Sequence, residues 1–379
     1  MSILKNIRPK HGLIGVVAIA ALGCAPTDGE DNGSTQGQAM ENEQQAQESQ
    51  QQSKALNVRL SGAGASFPAP LYQTWFDELQ GKYSGLQISY QSVGSGAGIR
   101  QYIAGTVDFG ASDAPLTEEE KQRFREKYGA EPIQVPTTGG LLVFAHNLPG
   151  VEDLRLSRDA YCGIVSGDIQ QWDAQAIQEA NPNQDLPSEN IDWIHRSDGS
   201  GTTFLFTNHL SEACGNWNAG AAKTVDWPVG VGAKGNEGVA STIQQTEGAI
   251  GYVAYAYAKE NNIPTATIEN KAGNFVEPSP SAAAKAFEGA DIPEDFGLLV
   301  PDPSGEQAYP IAGLTFLLLY PEYDDQQVAE ATEQMIDWAL KNGDQYAADL
   351  NYIPLPQSVQ QRVMETVEQE VEGTTQASS

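Results

Sequence analysis

Short apolar segments alternate with amphipathic segments along the chain from about residue 56 onward. The segment 107–111 has the composition of a buried strand, 71–82 repeats apolar residues at helical spacing, and 117–128 is predicted as a second helix. Thr117 and Glu120 form a capping box at the start of the second of these helices. Strands and helices that alternate in this way predict an α/β fold with largely parallel sheets. The same pattern predicts strands at 58–60, 86–91, 133–136, 140–146, 191–195 and 250–253, helices at 99–105, 203–210 and 239–245, an apolar β-rich segment at 309–320 and a last long helix at 325–341.

The first 23 residues have the pattern of a secretory signal peptide. Lys5, Arg8 and Lys10 precede an apolar run at 13–22, which is too short to span a bilayer. The run ends in Ala-Leu-Gly-Cys, which resembles a bacterial lipoprotein cleavage box with Cys24 as the lipidated residue, although Ala21 stands where Leu is usual. The alternative is an ordinary cleaved signal with an incidental cysteine.

Residues 24–55 are rich in Gln, Glu, Ser, Gly and Asn and have almost no large apolar side chain. Such a segment buries too little surface to offset its ordering entropy, so we expect a disordered tether. About 320 residues of globular composition follow. That length exceeds what one hydrophobic core usually serves and predicts two domains.

The chain is strongly acidic, with 21 Lys and Arg against 50 Asp and Glu and a formal charge of −29. Residues 1–23 carry three positive charges and no negative one, so their removal makes the charge −32. Nucleic acid is excluded as a partner because binding a phosphate backbone needs a basic face. An anion site on this chain must therefore depend on local hydrogen-bond donors.

Beyond Cys24 the chain has two cysteines, Cys162 and Cys214. In an exported chain two cysteines favour one disulfide, and two free buried thiols are the alternative. The four histidines show no metal-ligand spacing with them, so we expect neither a metal nor a cofactor.

Four loops at predicted strand ends carry small and hydroxyl residues: 62–67, 94–98, 111–115 and 196–202. Ligands in open α/β sheets gather beyond the carboxyl ends of strands, where helix starts present unpaired N–H groups. The loops offer such groups, several hydroxyls and one arginine, Arg196, which suits a small tetrahedral anion better than a nucleotide. The alternative for each loop is a packing device or a helix cap.

Asp113 is the unusual member of these loops because a carboxylate repels anions. It fits a ligand that still carries a proton, as phosphate does near neutral pH and sulfate does not. The alternative is a turn or N-cap residue, which is the commoner use of Ser-Asp-Ala-Pro.

Four segments, 62–72, 107–115, 196–203 and 248–253, closely resemble the phosphate-binding protein family of the bacterial high-affinity phosphate ABC importer. The resemblance runs from about residue 61 to 355. It implies a type II periplasmic binding protein fold, in which two α/β lobes are joined by two crossover strands and phosphate lies in the cleft between them. It also implies that the chain is a binding protein and not an enzyme. Such a protein acts as a monomer and delivers phosphate to membrane permease subunits.

Carried over by position, the resemblance implies a set of phosphate ligands in the four loops, with Asp198 supporting Arg196. The first loop has a serine where threonine is usual, which keeps the hydroxyl, and 94–98 lacks the family's second hydroxyl. Lobe I is then 56–138 plus 310–373 and lobe II 139–309, with crossings at 136–140 and about 305–311. The implied ligands are Ser66, Phe67 (by its backbone N–H), Ser95, Asp113, Arg196, Ser200, Gly201 and Thr202.

Four other functions are alternatives to phosphate binding. A serine hydrolase needs a glycine two residues before its nucleophile, which Ser95 and Ser200 both lack, and the pair Asp113 and His195 suits a phosphatase poorly. The segment 230–235 matches Gly-x-Gly-x-x-Gly, but no strand of proper length precedes it, which argues against dinucleotide binding. Within the binding class, the rival is a sulfate or phosphonate receptor.

Overall fold

An eight-stranded mixed sheet runs through residues 57–374, which are the residues that the computed structural model describes. The predicted signal, the whole of the predicted tether and Cys24 lie outside these residues. The strand order in the sheet is β2-β1-β3-β11-β4-β8-β6-β7, and two small sheets flank it, β10-β9-β5 and β12-β13. The strands are β1 (Val58–Gly64), β2 (Leu86–Ser92), β3 (Phe109–Ser112), β4 (Ile133–His146), β5 (Arg155–Leu156), β6 (Asp192–Arg196), β7 (Val231–Ala233), β8 (Ala249–Ala254), β9 (Thr267–Glu269), β10 (Phe275–Val276), β11 (Ala312–Leu319), β12 (Glu322–Tyr323) and β13 (Glu372–Gly373).

Helices follow most strands of the large sheet, as the alternating pattern predicts. Thr117 caps its helix with Glu120 in the predicted capping box, and Asp325 caps the helix predicted at 325–341. That helix is not the last long one, because a 14-residue helix follows at Gln357–Glu370. The helices are α1 (Ala69–Lys82), α2 (Ser95–Ala104), α3 (Glu118–Tyr128), α4 (Arg158–Ser166), α5 (Gln175–Ala180), α6 (Gly201–Ala213), α7 (Gly235–Gln245), α8 (Tyr255–Glu260), α9 (Pro280–Ala284), α10 (Gln326–Asn342), α11 (Asp344–Asp349) and α12 (Gln357–Glu370), with a 3₁₀ turn at Lys285–Phe287.

The large sheet is mixed, so the expectation of largely parallel sheets is wrong at its centre. β1 pairs in parallel with β2 and β3, and β6 pairs in parallel with β7 and β8. β11, however, runs antiparallel to both β3 and β4, and β4 runs antiparallel to β8. The two central strands reverse direction because they carry the chain between the two halves of the fold.

β4 is one buried strand of 14 residues, where the sequence predicts two strands, at 133–136 and 140–146. Its first part pairs with β11 and its last five residues pair with β8, so the strand belongs to both halves of the sheet. Pro136 lacks the N–H that a regular ladder needs, and the register shifts where it faces Phe316. The segment predicted as the second crossing, at about 305–311, also lies beside β4, since the N–H of Leu142 donates to the carbonyl of Ile311 at 3.0 Å.

Cys162 in α4 and Cys214 at the end of α6 are joined by a disulfide, with their Cα atoms 5.5 Å apart. The bond ties the C-terminal end of α6 to a neighbouring helix, whereas the N-terminal end of α6 carries the loop predicted to bind an anion. No helix within residues 57–374 is long and apolar enough to cross a membrane.

Reduction of this disulfide should destabilise the fold, because the bond closes a span of 52 residues in the unfolded chain. We expect reductant to lower the free energy of unfolding by about 2–4 kcal/mol, measured by denaturant titration. The double variant Cys162→Ser, Cys214→Ser is the control and should not respond to reductant. Unchanged unfolding of the native chain, once thiol titration shows both cysteines free, would contradict the prediction.

Candidate functional site

All four predicted loops meet through direct hydrogen bonds, and the first is joined to the second by the N–H of Gly94, which donates to the carbonyl of Gly64 at 2.8 Å. The N–H of Gly96 donates to the carbonyl of Gly199 at 2.8 Å. The hydroxyl oxygen of Ser95 accepts from the N–H of Gly201 at 3.0 Å and from that of Asp113 at 3.3 Å. The loops after β1, β2, β3 and β6 therefore form one buried cluster.

The start of α6 occupies the centre of this cluster. Ser200 is the N-cap of the helix, and its hydroxyl accepts from the N–H of Thr203 at 2.9 Å. Gly201 follows without a side chain, and a Cβ there would lie 2.5 Å from the hydroxyl of Ser95 and 2.7 Å from the Cβ of Asp113. Only glycine lets the helix start approach the other two loops this closely.

Arg196 lies at the end of β6 with its side chain buried. Its Nε donates to Oδ1 of Asp198 at 2.8 Å and its Nη2 to Oδ2 at 2.6 Å, which is the pairing that the family resemblance implies. Burial alone would raise the pKa of Asp198, but the arginine outweighs that effect and holds it below its ordinary value. Nη1 of Arg196 is buried and has no hydrogen-bond partner among the described residues. Nη1 of Arg196 is therefore a strong donor that remains for a ligand.

Asp113 is buried, 1 % exposed, and belongs to no helix cap, since Thr117 caps the helix that follows it. Its Oδ1 accepts from the hydroxyl of Thr315 at 2.9 Å and its Oδ2 from that of Thr202 at 3.1 Å. Burial raises the pKa of Asp113 to about 7, although the Thr315 hydrogen bond and the charge of Arg196 act in the opposite direction. This carboxyl can therefore hold or release a proton near neutral pH.

The first loop lies at the end of β1, and tyrosines fix its peptide groups. Tyr90 donates to the carbonyl of Ala65 and Tyr257 to that of Ser66, both at 2.7 Å. Because a peptide unit is planar and trans, these bonds also set the directions of the N–H groups of Ser66 and Phe67. Tyr352 holds the carbonyl of Phe67 in the same way at 2.6 Å.

A fifth loop, which the sequence analysis did not include, completes the cluster at the start of α7. The N–H of Gly235 donates to Oδ1 of Asp198 at 3.1 Å, and buried Asn236 contacts the hydroxyl of Ser66. The signal for this loop was the Gly-x-Gly-x-x-Gly match at 230–235. The three-residue β7 and the start of α7 do follow strand-to-helix order, but the strand lies inside the motif and not before it.

His195 lies away from the cluster. Its ring stacks on Trp227 with centroids 5.0 Å apart, and its Nδ1 is 3.0 Å from the carbonyl of Arg196. Burial lowers the pKa of His195. It is not placed to serve Asp113 as a catalytic partner.

The fold and the cluster together define a class: a two-lobe α/β binding protein whose site consists of oriented donors. The PBP superfamily domain matches residues 32–342. A phosphate-binding protein PstS from Xylella fastidiosa is 40% identical over 352 residues, which cover 91% of this chain and 93% of that protein. Its counterpart from Haemophilus influenzae is 41% identical over 306 residues, or 79% and 90% of the two chains. The chain belongs to the PstS family of phosphate-binding proteins.

Solved structures agree with this fold. A high affinity periplasmic phosphate-binding protein bound with phosphate matches with a TM-score of 0.70 at 22% identity, covering 82% of this chain and 94% of that one. A phosphate binding protein from Stenotrophomonas maltophilia matches with a TM-score of 0.64 at 21% identity, covering 81% and 93%. The two-lobe α/β fold is therefore the one that these structures share, while membership of the PstS family makes the chain a substrate-binding protein and not an enzyme.

Replacement of Asp113 by Asn should stabilise the ligand-free protein at alkaline pH. The folded-state pKa of about 7 lies above the ordinary aspartate value of 3.8. As pH rises from the lower value to the higher, the unfolded carboxyl ionises while the folded one keeps its proton, so this group costs stability. The cost is absent below the lower pKa and complete above the upper one. We expect Asp113→Asn to gain on the order of 2 kcal/mol at about pH 8 and nothing at about pH 3.5.

Chemical denaturation across this pH range, without phosphate, measures the difference between the two proteins. Comparing the variant with the native chain at each pH cancels the titration of all other groups. A gain that is the same at both ends of the range would show that Asp113 keeps an ordinary pKa.

Proposed function

We propose that this protein is an extracytoplasmic lipoprotein that captures inorganic phosphate and delivers it to the permease of a phosphate ABC importer. The proposal depends on one observation: an unsatisfied donor, Nη1 of Arg196, and a buried acceptor, Asp113, both belong to the same cluster of N–H and O–H groups. The names of its relatives and of the matching structures support the same ligand.

The proposed ligand set divides by chemical role. Arg196 supplies charge-assisted hydrogen bonds, with Asp198 holding its guanidinium in place. Asp113 accepts the hydrogen of a partly protonated phosphate, and fully ionised sulfate offers none. The remaining proposed ligands donate through N–H or O–H groups: Ser66, Phe67, Ser95, Ser200, Gly201 and Thr202.

The proposed lobes, 56–138 plus 310–373 and 139–309, place three of the predicted loops in the first lobe and the loop at 196–202 in the second. Contacts between the proposed lobes support closure around the ligand. Besides the Gly96–Gly199 hydrogen bond, Lys223 forms an ion pair with Glu120 at 2.8 Å. Within lobe II, the carbonyl of Lys223 accepts from the N–H of Ser200, which ties this ion pair to the loop at 196–202. Closure would thus bring the loop at 196–202 to the other donors.

The proposal includes export by the signal at 1–23 and lipidation at Cys24, with residues 24–55 as the tether. The monomeric state is also part of it. A lipid on Cys24 would hold the binding domain near the membrane that contains the permease, and the long polar tether would let the domain reach it.

Titration calorimetry of the exported chain with phosphate and with sulfate tests the function and the role of Asp113. We expect one-to-one binding of phosphate and roughly 100-fold weaker binding of sulfate, because sulfate would leave Asp113 without a donor and add repulsion. Asp113→Asn should reduce this preference by about tenfold or more, since the amide can donate to sulfate.

The matched control for the selectivity experiment is Asn270→Ala, a change at a buried amide that contacts only backbone groups outside the cluster. It should leave the preference intact. Absence of phosphate binding by the native chain would refute the function. Equal binding of sulfate would refute the role of Asp113 alone.

Gly201→Ala should weaken phosphate binding by roughly tenfold or more, because its Cβ would push α6 away from Ser95 and Asp113. Gly81→Ala is the control, since Gly81 lies in α1 and a Cβ there meets nothing within 4 Å. Calorimetry on both variants decides the point. Native affinity in Gly201→Ala would show that the loops need not approach this closely to bind phosphate.

A further inference from the structure

Asn236 is the side chain that joins hydroxyls from different loops of the cluster. It lies at the start of α7 and is fully buried. Its Nδ2 donates to the hydroxyl of Ser66 at 2.9 Å and to that of Thr202 at 3.1 Å. These hydroxyls come from loops 136 residues apart in the chain, after β1 and after β6.

The orientation of the Asn236 amide is fixed by a backbone donor. Its Oδ1 accepts from the N–H of Ala254 at 2.9 Å, and an N–H group cannot pair with an amide NH₂. The reversed amide would lose that bond and point Oδ1 at the two hydroxyls. Both hydrogens of Nδ2 are therefore committed to Ser66 and Thr202.

The consequence is largest at Ser66. Its hydroxyl oxygen accepts from Nδ2 of Asn236 and also from the backbone N–H of Asn236 at 3.1 Å. A hydroxyl has two acceptor sites and one hydrogen, so both acceptor sites are filled and the group can only donate. The hydroxyl of Ser95 can likewise only donate, because its oxygen already accepts from two backbone N–H groups.

Thr202 is restricted in the same sense. Its oxygen accepts from Asn236, and its hydrogen is directed to Oδ2 of Asp113. One acceptor site remains on Thr202, but the Asn236 contact holds the hydroxyl in the orientation that donates. Between Thr202 and Asp113, it is then Asp113 that can accept a hydrogen from a ligand.

We propose that Asn236 is a positioning residue that fixes the hydroxyls of Ser66 and Thr202 as donors, so that a ligand hydrogen is accepted by Asp113 and not by these two hydroxyls. This inference rests on the proposed phosphate function and adds a specificity element to it. Because these two hydroxyls offer a second ligand hydrogen no acceptor, they favour the singly protonated form of an oxyanion over the doubly protonated form.

The glycine motif at 230–235 has a structural role in placing Asn236. Gly235 adopts a left-handed backbone with φ +72°, and its N–H is held by Asp198. The turn brings Asn236 to the first loop at the start of a helix. The motif therefore places the side-chain amide of Asn236 in the cluster and does not form a nucleotide-binding turn.

Several charged groups surround Asn236, and the native chain and the Asn236 variants must all retain them. Asp113 and Arg196 lie across the cluster, Asp198 accepts from Gly235, and Lys234 and Glu237 flank Asn236 in the chain. None of them is changed in the variants below, and Asn236→Ala adds no charge to the cluster.

The test compares phosphate affinity by calorimetry at about pH 8 and about pH 5.5, where phosphate carries mostly one and mostly two hydrogens. Asn236→Ala frees an acceptor site on Ser66. We expect its affinity to fall by roughly tenfold or more at the higher pH and by less than about threefold at the lower pH.

Asn236→Asp is the second variant and keeps the shape of the side chain. Its carboxylate accepts from Ala254 and from both hydroxyls, which turns the hydroxyl oxygens toward the ligand. We expect a loss of about 100-fold at the higher pH and a much smaller loss at the lower pH. Circular dichroism melting shows that each variant is folded, and Asn270→Ala serves again as a buried-amide control with an unchanged pH profile.

An equal loss at both pH values in the two Asn236 variants would overturn the proposal, because it would mean only a structural role. Native affinity in Asn236→Ala at the higher pH would overturn it too. If the native chain binds no phosphate at either pH, the proposed function itself fails, which is a separate result.

Discussion

A buried guanidinium must keep a carboxylate partner, and this requirement governs the whole cluster. Asp198 neutralises Arg196 through two hydrogen bonds, and ionised Asp113 leaves the three side chains with one negative charge. A doubly charged oxyanion therefore gains little from simple attraction. Its stabilisation must come from oriented N–H and O–H dipoles, which the starts of α1, α2, α6 and α7 supply.

The acidity of the chain strengthens this conclusion. A formal charge of −29 repels anions at long range, and the repulsion weakens in salt. Donors in a buried cluster act only at hydrogen-bond distance, where they are screened least. Capture of an anion by such a protein depends on geometry at contact, and the rigid strand ends of β1, β3 and β6 provide that geometry.

Local features of the site could be predicted from the sequence, and long-range ones could not. Arg196 and Asp198 are two residues apart, and the loops at strand ends contain small residues that mark them. Thr315 lies 202 residues from Asp113, and Asn236 lies 170 residues from Ser66. No local pattern distinguishes these two polar residues from ordinary surface residues, because only the tertiary fold brings them to their partners.

The fold shows the same division. Apolar runs and helix caps predicted most elements of the alternating pattern, and residues near Pro136 were assigned to two strands because proline usually ends one. The reversed direction of β11 depends on its neighbours in the sheet, and a single strand carries no mark of its partner. The family resemblance implied the crossover, which periodicity alone did not.

The cluster is arranged at some cost to the ligand-free fold. Asp113 is buried with a raised pKa, and Nη1 of Arg196 is buried without a partner among the described residues, so both reduce stability until an oxyanion supplies the missing contacts. The ion pair between Lys223 and Glu120 cannot replace those contacts, because a pair that is partly exposed contributes about 1 kcal/mol or less. Binding energy at the cluster must therefore provide most of the preference for the closed arrangement, which couples closure to the presence of a ligand that can donate one hydrogen and accept many.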